Sequence, residues 1–396
     1  VEEESVELSI VMPCLNEAQT LTTCIRKAKK FLADHNIAGE VVIGDNGSTD
    51  GSQEIAIQNG ARVVPIARRG YGSAIHGATL QCKGKYVIVG DSDDSYDFAN
   101  LMPFVDRLRQ GDDLVMGNRF LGGIRPGAMP WKNRYIGNPI LTAIGQLFFD
   151  CPAKDFHCGL RGYSLAAFRQ MDLQTTGMEF ASEMVIKATL LRMKISEVPT
   201  TLDPDGRSRP PHLRPWRDGW RHLRFMLLYS PRWLFLYPGL FLMFFGFLGM
   251  VFLIRGPIQL GSVELDVDSL AYLSTAVLLG YQAMTFAVLS KVFAVNTGLR
   301  PWEPKFQRLF DYLNLEVGLA VGAMIFSVGL GLAIWALVYW KVRGFGHLDP
   351  RLALRVVIPS ALFLTLGCQT ILCSFLLSVL GLRTRRITPG ERPELA

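Results

Sequence analysis

Charge is scarce in this chain. Only 19% of its 396 residues are Asp, Glu, Lys or Arg, against 49% hydrophobic residues, a balance that excludes an ordinary soluble enzyme. Metal-binding cysteine spacing is also missing. The seven cysteines, Cys14, Cys24, Cys82, Cys151, Cys158, Cys368 and Cys373, are odd in number and read as reduced packing residues. The N-terminal stretch Val1 to Ser5 is acidic and lacks the basic and apolar regions of a signal peptide, which predicts a cytoplasmic front half. No basic patch with interleaved aromatics occurs in that half, so the net charge of +6 is not read as nucleic-acid binding.

What is abundant is apolar sequence after Pro231. Four segments, near 233–254, 269–295, 315–340 and 356–382, each reach the roughly 20 residues needed to cross a bilayer. A buried core helix would rarely be apolar all round for that length. The chain therefore divides into a polar domain over 1–212, an amphipathic helix over 213–230 and a membrane domain over 231–396. In the middle segment Trp216, Trp220, Leu223 and Leu227 share one helical face and Arg217, Arg221 and Arg224 another, the pattern of a helix lying in a membrane interface. The stretch 301–310 reads as a second such helix. An even number of spans puts both ends on one side, and the basic connector before the first span, with Arg383, Arg385 and Arg386 after the fourth, places that side in the cytoplasm. Lys341, Arg343, Arg351 and Arg355 run against that rule, since they fall in the outer loop.

The polar domain alternates short apolar runs with amphipathic helical spacing: strands near 6–12, 40–44, 61–66, 85–90 and 113–117, with helices between them. Such alternation predicts an α/β fold with a mostly parallel sheet. Polar residues follow the strands' carboxyl ends: Asn16 and Glu17, Asp45, Asp91 and Asp93, and Arg119. Ligands bind at that edge of open α/β sheets. Asp91 and Asp93 close a buried apolar strand and can reach one divalent cation. Hard oxygen ligands with no Cys or His cluster nearby favour Mg²⁺ or Mn²⁺ over Zn²⁺. An acidic turn capping the helix near Phe98 is the simpler use of a lone Asp-x-Asp.

Together the ordered motifs of residues 6–230 resemble the inverting glycosyltransferases of family two, in the polyprenyl-phosphate branch that holds the dolichyl-phosphate mannose and glucose synthases. The resemblance implies an A-type glycosyltransferase fold, Rossmann-like, for that stretch; the interfacial helices and four transmembrane helices that follow rest on hydropathy, since family members differ in having no spans, two or four. It implies that Pro13, Leu15 and Glu17 line the nucleoside pocket, that Asp45 meets the base edge, and that Asn46 stands where a second Asp is common. Gly70, in the loop Arg68 to Ala74, would let the nucleotide approach bare backbone. Asp91 would also face the nucleotide, and with Asp93 it matches the metal motif, with Ser95 at a third position that is often Gln. Arg119 and Arg134 correspond to arginines that hold the acceptor phosphate. Asp155, Gly159 and Arg161 match an Asp-x-x-x-Gly-x-Arg element near the reacting centre.

The activity so implied is transfer of one hexose, with inversion, from a nucleotide sugar (a UDP- or GDP-hexose) to a polyprenyl phosphate at the cytoplasmic face of a membrane such as the bacterial inner membrane. UDP-glucose is the favoured donor and GDP-mannose the alternative. Asp155 reads as an orienting group rather than a proton abstractor, since a phosphate monoester is largely dianionic at neutral pH. His76 and His157 are more readily structural than catalytic. A processive polysaccharide synthase would carry Gln-x-x-Arg-Trp before a span, and Tyr229 stands at the Gln position before Arg232-Trp233. A non-catalytic scaffold or flippase would have no reason to keep Asp45, Asp91, Asp93, Arg119 and Arg161 together. Assembly as a homo-oligomer is left open by the sequence.

Overall fold

A computed structural model describes residues 6–208, 215–296 and 315–381. The expected interfacial helix over 301–310 and the cations Arg383, Arg385 and Arg386 lie outside the described residues. The chain forms two compact units, Val1–Tyr229 and Ser230–Ala396. The amphipathic helix thus belongs to the first unit instead of standing apart.

In the first unit, among the described residues, one sheet carries seven strands: β1 (Leu8–Cys14), β2 (Gly39–Asp45), β3 (Arg62–Pro65), β4 (Tyr86–Val89), β5 (Leu114–Asn118), β6 (Arg161–Ser164) and β7 (Ile195–Pro199). Their order is β3-β2-β1-β4-β6-β5-β7. The pairs β1 with β2, β1 with β4, β2 with β3 and β5 with β7 are parallel, and β6 runs antiparallel to both β4 and β5. Helices α1 (Leu21–Asp34), α2 (Ser52–Gln58), α3 (Tyr71–Leu80) and α4 (Met102–Arg109) make the expected crossovers. Leu8, Ile10, Met12, Ile43, Ile88 and Phe104 are buried in the core, as apolar strands covered on both faces require. The chain leaves β1 toward β2 and β3 on one side, then returns to place β4 on the other. That reversal opens a crevice between the carboxyl ends of β1 and β4, where doubly wound sheets bind their ligands. Strand β6 was not expected: its four residues include Gly162, and the sequence pattern leads on from Arg161 to a helix.

Beyond β5 lie α5 (Arg119–Gly122), a π-turn (Asn133–Gly137) running into α6 (Asn138–Phe149), α7 (Leu165–Met171), α8 (Phe180–Leu190) and α9 (Pro215–Tyr229). Helix α9 has a third face that the sequence pattern missed. Asp218, His222, Phe225, Met226 and Tyr229 are buried, while α6 and α8 pack against the helix. Core packing and an exposed tryptophan edge coexist on one helix.

The second unit holds, among the described residues, four helices long and apolar enough to cross a membrane: Arg232–Leu253, Val267–Asn296, Leu315–Val342 and Pro350–Leu380. The fourth begins six residues before the expected 356. The first packs on the second, the second on the fourth, and the third on the fourth. Close approach depends on small residues, as in membrane bundles generally. A Cβ on Gly239 would lie 2.8 Å from the carbonyl of Gly280, and one on Gly280 would lie 2.6 Å from that of Gly239. Between the second and fourth helices, Tyr281 and Thr370 share a hydroxyl hydrogen bond of 2.6 Å. A hairpin of β8 (Ile258–Leu260) and β9 (Val263–Leu265) joins the first two helices.

Candidate active site

The crevice between β1 and β4 gathers the acidic residues. Asp91 follows β4, and its Oδ1 accepts a 2.9 Å hydrogen bond from the Tyr71 hydroxyl at the start of α3. Burial and then the neighbouring charge of Asp93 push the Asp91 carboxyl up to about 6. Asp93 accepts from the backbone N–H of Ser95 at 3.1 Å and from its hydroxyl at 2.5 Å. Ser95 therefore engages Asp93 rather than facing an open position. Glu17, after β1, is buried too.

A residue that sequence reasoning assigned only to a basic connector closes this acidic group. Arg207 donates through Nη1 to Glu17 at 3.0 Å and through Nη2 to Asp93. Its segment is tied down by Gly206 N–H to the Asp93 carbonyl at 3.0 Å and Ser208 N–H to Gln19 at 3.0 Å. Asn16, Glu17, Gln19, Thr49, Asp50, Arg207 and Ser208 line a cavity of about 320 Å³ here. No local pattern announces Arg207, since its partners lie 190 and 114 positions away.

The residues expected to line the nucleoside pocket sit around the same edge. Pro13 lies one residue before the end of β1 and its carbonyl accepts from the Ser92 hydroxyl at 2.7 Å, while Leu15 is 38% exposed. Asp45 is buried and capped from below by Gly47 N–H, Ser48 N–H and the Gln53 amide, the last at 2.6 Å. Asn46 donates its amide to the carbonyls of Ile66 and Arg68 at 3.1 and 2.9 Å and accepts from Gly70 N–H at 2.6 Å. Gly70 has φ +136°, and a Cβ there would lie 2.2 Å from the Thr176 carbonyl. Only glycine fits that combination.

The loop 155–161 lies over Asp91. A Cβ at Gly159 would come within 2.6 Å of Asp91 Oδ2, which is why this element needs glycine. The Gly159 N–H donates to the Tyr96 hydroxyl at 2.8 Å. Asp155 is fully buried and accepts three bonds from Arg119: from the backbone N–H at 3.0 Å, from Nε at 2.7 Å and from Nη2 at 2.7 Å. Arg119 Nη1 makes none of these bonds. Arg161 is also buried and directs its nitrogens at backbone carbonyls, Nε to Cys158 at 2.8 Å, Nη1 to Ala181 at 2.5 Å and Nη2 to Phe156 at 3.1 Å. Arg134, on the π-turn, is partly exposed and stacks over Tyr135 at 5.4 Å. The structure thus joins Asp91 with Gly159 and Asp155 with Arg119, and gives Arg161 carbonyl partners only.

Two further features escaped the sequence. His157 packs edge-on against His222 of α9, ring centroids 4.6 Å apart, and His222 shares a 2.7 Å hydrogen bond with Ser182. Trp131, Tyr135, Ile136, Ile140 and Leu147 are exposed along the π-turn and α6, as are Trp216 and Trp220 on α9. Helices α6 and α9 pack together, so these exposed apolar side chains belong to neighbouring elements of one unit, a feature of interaction sites. Within the polar domain and its connector, the sequence reading assigned membrane contact to α9 and none to α6.

A doubly wound sheet with neighbouring carboxylates at its switch point precedes four helices long and apolar enough to cross a membrane. Residues 9–172 match the model of glycosyl transferase family 2, and residues 288–381 match that of the glycosyltransferase family 2 C-terminal transmembrane region. The low-salt glycan biosynthesis hexosyltransferase Agl6 of Haloferax volcanii is 36% identical over 377 residues, covering 94% of this chain and 89% of that protein. The dolichyl-phosphate hexose transferase of the same organism is 30% identical over 194 residues, 49% of this chain and 81% of that one. Among solved structures, glucosyl-3-phosphoglycerate synthase from Mycobacterium tuberculosis, in complex with phosphoglyceric acid, aligns with a TM-score of 0.45 at 23% identity, over 57% of this chain and 80% of that one. The chain belongs to glycosyltransferase family 2. It is a membrane-bound glycosyltransferase.

Proposed function

We propose that the enzyme transfers one hexose from a nucleotide sugar to a polyprenyl phosphate, with inversion, at the cytoplasmic face of the membrane. UDP-glucose is the donor we favour over GDP-mannose, on the resemblance to glucose-transferring members. The observation that carries the reading is that one unit holds both the half-buried Asp91 beside the buried Asp93 and the exposed apolar residues of α6 and α9. A water-soluble acceptor would need no such surface. The relatives named for hexose and dolichyl-phosphate transfer support it.

Mg²⁺ or Mn²⁺ fits the residues present. Desolvation and then the charge of Asp93 raise the Asp91 carboxyl to about 6, and a cation at the pair would favour its ionised form. Among the described residues no three His, Cys, Asp or Glu side chains gather into a cage, which suits a cation held by one or two carboxylates and the donor's phosphates. When bound, it supplies charge neutralisation to the leaving nucleoside diphosphate. Arg207 neutralises Glu17 and Asp93 from the protein side and is placed to meet the diphosphate. Asp155, whose oxygens are already taken by Arg119, serves to orient that guanidinium. Arg119 Nη1 and Arg134 offset repulsion between acceptor phosphate and donor. Arg161 shapes the loop 156–158 through its carbonyl bonds. No strong base is required, because the acceptor is largely dianionic at neutral pH.

Asp93→Asn tests the assignment. Hexose transfer should vanish while the melting temperature falls only modestly, since the amide keeps an oxygen for Ser95 but weakens the pairing with Arg207. Wild-type turnover in that variant would remove Asp93 from the mechanism.

A further inference from the structure

The hairpin end of the membrane unit carries cations that transfer chemistry does not use. Arg255 follows the first membrane helix, and Arg351 and Arg355 open the fourth. Arg351 pairs with Glu264 and Asp266, at 3.2 and 3.3 Å, and Arg355 pairs with Asp266. Even so, Arg355 keeps a buried Nε–H with no hydrogen-bond partner, and Arg255 is exposed. Both residues line one cavity of about 560 Å³, whose other walls include Ala336, Leu337, Trp340, Leu352 and Val356.

We infer that this cleft binds an anionic phospholipid, with the phosphate between Arg255 and Arg355 and one acyl chain along the apolar wall. Arg255 brings an exposed guanidinium to the cleft beside Arg355, and a phosphate oxygen is the acceptor that best satisfies a guanidinium. Tryptophan near such an end marks headgroup depth. Bulk lipid would fill the apolar wall but needs no arginine. The polyprenyl acceptor is not the occupant, because the chain enters this unit at the opposite end of the first helix, near Arg232. The site also gives a role to Arg355, one of the residues that oppose the usual charge bias of outer loops.

The test is native mass spectrometry of the full-length protein in detergent, incubated with equal phosphatidylglycerol and phosphatidylcholine of matched chains. Wild type should retain phosphatidylglycerol preferentially. Arg255→Gln should lower that retention about five-fold, the worth of one interfacial cation, and Arg255→Lys should restore most of it. Ala336→Phe, which fills the cleft, should reduce both lipids. Melting temperature and hexose transfer should stay near wild type in all three. Equal retention of the two lipids by wild type, or unchanged phosphatidylglycerol retention in Arg255→Gln, would mean bulk lipid only and overturn the inference.

Discussion

Asn46 stands where the resembling family commonly has an aspartate, and its amide does what a carboxylate cannot. It donates to two carbonyls and accepts from Gly70 N–H, fixing the loop that leads to Tyr71 and so to Asp91. Asn46→Asp would set a negative charge against both carbonyls. We expect a loss of about 1–3 kcal/mol in stability and a raised KM for the donor, read by thermal melting and by steady-state kinetics. Unchanged values would mean the loop holds itself. At this scale an apolar strand pointed to Asp91 and Asp93, whereas the Asp155 to Arg161 element came only from the resemblance; the structure sets Gly159 against Asp91. Arg207 and Asn46 were illegible because their roles depend on partners distant in sequence or on which atoms donate.

Helix α9 shows how one period can hide another. Its tryptophan and arginine faces were readable, yet the buried face includes Asp218 and His222, polar residues that hydropathy places outside. Likewise β6 was too short and glycine-bearing to register, though pairing between β4 and β5 makes it central. Burial, followed by the charge of Arg161, pushes His222 down to about 4, with Asp218 and Glu179 pulling the other way, and burial lowers the adjoining His157 as well. A base with a depressed pKa stabilises the fold fully above its unfolded value of about 6.5. That contribution fades as pH falls toward 4, by about 1.4 kcal/mol per unit. Wild-type melting temperature should therefore drop between pH 6.5 and 4, and His222→Gln should flatten the slope. An equal slope in both proteins would place the acid sensitivity elsewhere. The outer face of α9 has a separate test. Arg217, Arg221 and Arg224 changed together to Gln should impair transfer to long-chain polyprenyl phosphate in anionic liposomes, at about 1 kcal/mol of surface attraction per residue, with nucleotide binding nearly intact. Wild-type transfer would reduce the helix to a strut.

Across the whole molecule, the division into a sheet-based unit and four apolar helices was legible because length and hydropathy decide it with little help from packing. Helix boundaries were less so: the fourth helix starts at Pro350, where Arg351 and Arg355 break the apolar run yet pair with Glu264 and Asp266. Ion pairs let charged residues extend a membrane helix that composition alone would shorten. The central claim concerns what the two units do together, namely that one hexose passes from a nucleotide to a lipid phosphate. The direct measurement is mass spectrometry of the lipid extract after the purified protein, in liposomes with polyprenyl phosphate and Mn²⁺, is given UDP-glucose or GDP-mannose. We predict a polyprenyl phosphate carrying a single hexose, formed faster from UDP-glucose. A polymer, or sugar released only to water from either donor, would contradict the account.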